Sequence, residues 1–145
     1  MSGVPSARLV VEITETALLR DPDRTVGVLG ELREMGLRVA LDDFGTGYSS
    51  LSYLRRLPVD ILKIAHPFVA DVEEDATFVR AMIDLGKTLG LQIVAEGVET
   101  PGQRDALLEL GCDLVQGYLF GAPATTAELV AAIDAAPRRV GRPDA

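Results

Sequence analysis

Five short apolar runs, Leu9-Val10-Val11, Leu37 to Leu41, Val59 to Ile64, Leu91 to Ala95 and Leu114-Val115, alternate along the chain with longer stretches of helical pattern. That alternation predicts an α/β fold with a parallel sheet, because each return to a parallel strand needs a helical crossover. Runs apolar at every position, such as Leu9 to Val11 and Ile93 to Ala95, predict strands covered on both faces. Helix boundaries are equally marked. Asp21-Pro22 supplies a cap and a first-turn proline to a helix ending at Gly36. Thr100 to Gln103 reads as a capping box for a helix ending at Gly111, and Thr125 to Glu128 as a second box opening the last helix. Asp75 to Leu89, stopped by Gly90, is an amphipathic helix with Phe78, Met82, Ile83 and Leu85 as its expected core stripe.

The polar residues at strand ends change this picture from architecture to chemistry. Glu12 follows the first run, Asp42 and Asp43 the second, Glu96 the fourth and Gln116 the fifth, with Lys63 near the end of the third. In barrels and parallel sheets the carboxyl ends of the strands are where ligands bind, so these side chains should converge there. Four carboxylates brought together repel unless cations compensate, and oxygen ligands favour Mg²⁺ or Mn²⁺. An isolated acid at a strand end is more often a helix cap or a solvated loop residue, and Asp42-Asp43 could be a plain turn pair. Their repetition after successive strands favours a shared site. Lys63, flanked by apolar residues, is expected to fix an attacking water or a phosphate. The segment Phe44 to Ser50 carries two glycines and several hydroxyls, which permits close backbone approach to a ligand. The single histidine, His66, is expected to be structural or exposed, and the single cysteine, Cys112, to be a small buried residue.

Composition narrows the partners. A net charge of −8, with no Lys/Arg cluster within the part expected to be ordered, argues against phosphate neutralisation along a polymeric nucleic acid, although an acidic protein can hold a phosphate ligand through metal ions. One cysteine forbids an internal disulfide, no apolar run reaches membrane-spanning length, and the cytoplasm is the expected compartment. The chain, at 145 residues, suffices for one core, whereas a closed eight-stranded barrel takes about 250. An open sheet, a barrel fragment and a barrel completed by another copy therefore all stand. Residues 1–8 are expected to be an N-terminal extension, 9–136 the domain, and 137–145 a disordered tail.

Five segments resemble EAL domains in order: Glu12-Ile-Thr-Glu15, Asp42-Asp43-Phe-Gly-Thr-Gly-Tyr-Ser-Ser50, Leu57-Pro-Val-Asp-Ile-Leu-Lys63-Ile, Ala95-Glu-Gly-Val-Glu99-Thr and Gln116-Gly-Tyr-Leu-Phe120. The resemblance runs from Leu9 to Ile133 and corresponds to the later part of such a domain. It implies a partial (β/α)8 TIM-like barrel from a family of bacterial second-messenger enzymes that hydrolyse cyclic di-GMP to pGpG with two divalent metals. By that resemblance Glu12, Asp42, Asp43 and Glu96 are metal ligands, with Asp42 bridging. Lys63 and Glu96 are catalytic, Lys63 positioning the water. Glu15 braces the following loop, and Glu99 and Gln116 support the site. The loop residues Gly45, Thr46, Gly47, Tyr48 and Ser49 contact substrate.

Three departures stand out. The Glu-Ala-Leu segment and a following asparagine have no counterpart here, so two ligands of the first metal are missing. Ala65 stands where the family reads Lys-Ile-Asp, and Ala122 replaces a polar or basic residue. A truncated phosphodiesterase with reduced or absent turnover is therefore expected. The alternative is a degenerate regulator that binds cyclic di-GMP or a protein. Uncovered strand edges further imply self-association or a complementing N-terminal half.

Overall fold

The structure is a computed structural model that describes residues 3–18, 21–47 and 54–135. Strands β1 (Val10–Thr14), β2 (Arg38–Phe44), β3 (Ile61–Ile64), β4 (Gln92–Ala95) and β5 (Leu114–Val115) form one sheet, every neighbouring pair parallel. Their spatial order is their sequence order. A doubly wound sheet reverses direction at a switch point, whereas this sheet never does, so its winding is that of a barrel arc. Helices α1 (Glu15–Leu18), α2 (Pro22–Glu34), α3 (His66–Ala70), α4 (Thr77–Thr88), α5 (Pro101–Glu109) and α6 (Thr126–Ala135) complete the order.

Alternation along the strands divides the sheet into two environments. Val39, Leu41, Leu62, Ile64, Ile93 and Ala95 are fully buried on the face that meets the helices, in the main core. Ala40, Ile61 and Val94 form a separate small cluster on the opposite, concave face, where Glu12 and Lys63 also project. Each fully buried aliphatic side chain contributes about 1.5–3 kcal/mol as an upper estimate, so the helix-facing layer dominates stability. The expectation of strands covered on both faces holds for β2 to β4 but not for β1. Leu9 and Val10 are more than two-fifths exposed, because β1 is an edge strand in this sheet.

Local signals worked as read. Asp21 accepts from the Arg24 amide at 3.4 Å, and α2 ends two residues before Gly36, whose φ of +84° makes the turn into β2. Thr100 and Gln103 exchange both capping-box bonds, as do Thr125 and Glu128. The stripe of α4 differs from expectation. Phe78 is 55 % exposed, while Val79, Met82, Ile83 and Gly86 face inward. A Cβ at Gly86 would collide with Ile93, so the missing side chain lets α4 approach β4 closely. Cys112 is buried with its Sγ 3.1 Å from the Leu114 carbonyl oxygen. The tail, 136–145, lies outside the described residues.

Candidate functional site

The carboxyl end of β2 is irregular in a way that shapes the site. Leu41 pairs with Leu62 and Phe44 with Ile64, so β2 spends three residues where β3 spends two. The extra residue is a bulge. Asp43 takes up the distortion with φ of +55°, left-handed space that aspartate tolerates better than most residues, at a cost of about 1 kcal/mol or more. Consecutive strand residues ordinarily point to opposite faces, yet here carboxylate oxygens of Asp42, Asp43 and Glu96 lie within 4.8 Å of one another. That is the spacing of donors able to share one hard cation.

Lys63 sits at the centre of the remaining contacts. Its Nζ lies 2.8 Å from Glu12, 3.1 Å from Asp42 and 2.7 Å from Glu96. The amine is buried, Asp42 and Glu96 are mostly covered, and Glu12, on the edge strand, has a half-exposed side chain. Burial alone would push the amine down, but the bonds to Glu12, Glu96 and Asp42 outweigh it and hold Lys63 firmly protonated. For Glu96, burial pushes the carboxyl above its usual range, partly offset by Lys63 and reinforced by the charges of Asp42 and Glu12. Three acids and one ammonium leave net negative charge in a partly dry place, which attracts further cations.

Glu15, the first residue of α1, is buried and its Oε2 accepts from the amides of Gly45 and Gly47 at 3.3 and 3.1 Å. A Cβ at Gly47 would stand 2.9 Å from the Glu15 carboxyl carbon, so a side chain there would push the Glu15 carboxylate off the loop amides. Thr46 donates its hydroxyl to the Asp43 carbonyl at 2.8 Å, which ties the loop back to the bulge. Tyr48 and Ser49 lie outside the described residues. Gln116 extends β5 by bonding its backbone to Ala95 and Val98. The amide of Glu99 donates to Gln103 at 2.8 Å, and the residue itself lines a hollow of about 420 Å³ with His66, Gln116, Tyr118 and Pro123.

The geometry therefore brings Glu12, Asp42, Asp43, Lys63 and Glu96 to one rim, with Glu15 fixing the neighbouring loop. Of the residues lining the hollow beside it, sequence reasoning named Glu99, Gln116 and Ala122 but gave His66 and Tyr118 no role there. A signal was present, since His66 and Tyr118 lie just past the ends of β3 and β5.

Comparison with known proteins decides the family. The family model described as "EAL domain" matches residues 1–123. This chain belongs to the EAL domain family. Among its relatives, the bifunctional diguanylate cyclase/cyclic di-GMP phosphodiesterase MucR of Pseudomonas aeruginosa is 45 % identical over 130 residues, 88 % of this chain but 19 % of that protein. The solved MucR phosphodiesterase in complex with c-di-GMP superposes with a TM-score of 0.82 at 45 % identity, covering 87 % of this chain and 52 % of that one. Klebsiella pneumoniae BlrP1, solved with manganese and c-di-GMP, matches at 37 % identity and a TM-score of 0.78 over 84 % of this chain and 32 % of that one. The chain thus spans about a fifth of the MucR relative and about half of its solved phosphodiesterase chain. Among the described residues no helix is long and apolar enough to cross a membrane.

The donor set can be weighed against the cations this family implies. Asp42, Asp43 and Glu96 offer one all-oxygen site of the kind Mg²⁺ or Mn²⁺ takes, completed by water. Glu12 lies outside that cluster, its Oε2 bonded to Lys63 as is Asp42 Oδ1, so the described residues gather one three-acid site and at most the start of a second.

Proposed function

We propose that this chain is the cation-binding portion of a cyclic-di-GMP phosphodiesterase domain, with Mg²⁺ or Mn²⁺ as its cofactor and the bacterial cytoplasm as its compartment. The observation that carries the reading is the placement of the Lys63 ammonium within 3.1 Å of Glu12, Asp42 and Glu96, beside the Asp42, Asp43 and Glu96 cluster. The relatives' activity supplies the substrate class.

When bound, divalent cations supply Lewis acidity to the phosphodiester oxygens and lower the pKa of coordinated water. The chain's own residues do the rest. Asp42, Asp43 and Glu96 would hold the cation, and Lys63, whose three ammonium hydrogens go to Glu12, Asp42 and Glu96, fixes those carboxylates and turns a hydrogen to an incoming oxygen when the cation takes one of them over. Hydrolysis forms one bond from water oxygen to phosphorus and breaks one phosphorus–oxygen ester bond, giving linear pGpG. Glu15 keeps Gly45 and Gly47 in place, so the backbone around Thr46 meets the ligand already ordered. The hollow lined by Glu99 and Gln116 receives part of the nucleotide. A guanine offers two adjacent N–H donors, which suit a carboxylate acceptor.

The begun second site favours a companion reading, in which the isolated chain binds cyclic di-GMP with little turnover until a complementing N-terminal half or a second copy closes the arc. Exposed Val10 and Leu114 at the two outer strands mark where such a partner would lie. Incubation with cyclic di-GMP and Mn²⁺ tests both readings. Formation of pGpG that disappears in Asp42→Asn supports the enzyme, and binding without product supports the regulator. Failure of both, in the chain alone and in the longer protein, refutes the assignment of substrate.

A further inference from the structure

The hollow beside the cation cluster has a wall that the family motifs do not account for. His66 is the first residue of α3, directly after β3, and it is exposed on the side that lines the hollow. Its ring lies directly on Gly97, where a Cβ would run into the imidazole Cδ2, Cγ and the His66 Cβ. Gly97 has φ of +71° and follows Glu96, a member of the cation cluster. The imidazole is therefore seated on backbone within one residue of the acids. Pro67 follows immediately, and a residue preceding proline has restricted backbone freedom. A ring with a fixed base and an open side is preorganised for contact, since little freedom remains to be lost on binding.

The hollow also has the composition of a nucleobase subsite. Tyr118 is 65 % exposed and Pro123 lies nearby, so flat apolar surface is available. Glu99 and Gln116 add hydrogen-bonding groups. Gln116 also lines the concave face that holds Lys63 and Glu12, so the two spaces are neighbours that share this wall. A ligand with its phosphates at the cations could place one base here.

We infer that His66 is a substrate-contacting, affinity-determining residue of this site, its ring forming a flat wall against one purine base of the bound cyclic dinucleotide. The inference rests on the proposed cyclic-di-GMP function and adds a residue to it. Because the contact depends on a planar ring, phenylalanine should replace histidine and alanine should not.

The chain's single histidine makes the test direct. Cyclic di-GMP is titrated into the protein with Ca²⁺ as the cation, while the one histidine side-chain resonance is followed by NMR and affinity by calorimetry. The expected result is a ligand-dependent shift of that resonance, a loss of about tenfold in affinity in His66→Ala, and affinity within about threefold of wild type in His66→Phe, in keeping with a single base–aromatic contact. Wild-type binding that shifts backbone resonances at Gln116 and Glu99 but leaves the histidine signal unmoved would overturn this role for His66 while leaving the function intact. No cyclic di-GMP binding by the chain or the longer protein would overturn the function itself, and this inference with it. The wild-type spectrum needs no variant to fold, and a melting curve for each variant separates lost contact from lost structure.

Discussion

The two rims of the sheet use the same residue types for opposite purposes. At the amino-end rim, Asp60 accepts from the Val39 amide at 2.9 Å and pairs with Arg33 at 2.9 Å, and Asp113 accepts from the Ile93 amide at 2.7 Å. Arg38 and Gln92, at the first positions of β2 and β4, bond at 2.7 Å. These acids commit their oxygens to backbone and guanidinium groups of the fold. At the carboxyl-end rim, Glu12, Asp42 and Glu96 converge on one lysine, and Asp43 turns through a strained bulge to join Asp42 and Glu96. The difference teaches that an acid just before a strand holds the sheet together, while acids within β1 and β2 toward the carboxyl-end rim, and Glu96 just past β4, are available to a ligand.

The comparison breaks first at Asp42. Asp42→Asn should reduce Mn²⁺ affinity at least about 100-fold, measured by calorimetry, because outer partners of metal ligands already cost 10–100-fold and Asp42 is proposed as a direct donor. Its melting temperature should hold or rise, since a repelling charge has gone. A large fall in melting temperature with unchanged Mn²⁺ affinity would place Asp42 with the structural acids.

Lys63→Met sharpens the contrast. It leaves Asp42 and Glu96 facing each other without their ammonium, and denaturant unfolding should show a loss of about 2–3 kcal/mol. Saturating Mn²⁺ should restore more stability to the variant than to wild type. The pH dependence has a definite sign. Glu96 already has a raised carboxyl in the folded state, so its ionised form costs stability above that raised value, and protonation relieves the cost as pH falls. Removing Lys63 raises it further, so the variant's deficit should shrink on acidification. Cation binding, which needs the carboxylate, should weaken in wild type as pH falls, with the loss beginning at a higher pH than it would for an ordinary glutamate.

At the opposite rim, Asp113→Ala should leave Mn²⁺ affinity unchanged and lose about 2 kcal/mol of stability, because the Ile93 amide would lose its acceptor in a covered place. Reduced Mn²⁺ affinity without destabilisation would erase the distinction between rims.

The smallest effect concerns Ala65, the N-cap of α3, which makes no side-chain cap bond. Ala65 is buried, so Ala65→Asp, the residue the family pattern carries, sets a capping gain of about 1 kcal/mol against the cost of covering a carboxylate, and the unfolding midpoint should change little. A clear rise in the midpoint would show that the cap outweighs that cost.

Much of this was legible in the chain because it is local. Apolar runs set five strands, and Thr100 with Gln103 and Thr125 with Glu128 announced helix starts through bonds spanning three residues. Lys63 was recognisable as a buried cation from its apolar flanks. What escaped was tertiary. Met82 and Ile83 of the α4 stripe were legible and Leu85 packs against the core, but Val79 faces inward in place of Phe78, and Gly86, which faces the sheet through its lack of a side chain, carries no hydrophobic signal. The bulge that aims Asp43 is set by pairing with β3, and no local pattern announces left-handed backbone at an aspartate. Asp60 and Asp113 bond to amides about twenty residues away, so their role appeared only once β2 and β4 were in place.

The central claim is that one rim alone gathers a cation site. Strand β3, four residues long, separates the rims by about 13 Å. Substoichiometric Mn²⁺ added to the ¹⁵N-labelled chain broadens amides steeply with proximity, so the amides of Asp42, Asp43 and Glu96 should vanish first while those of Asp60 and Asp113 stay sharp. Broadening centred on Asp60 and Asp113, or spread evenly over both rims, would contradict the account.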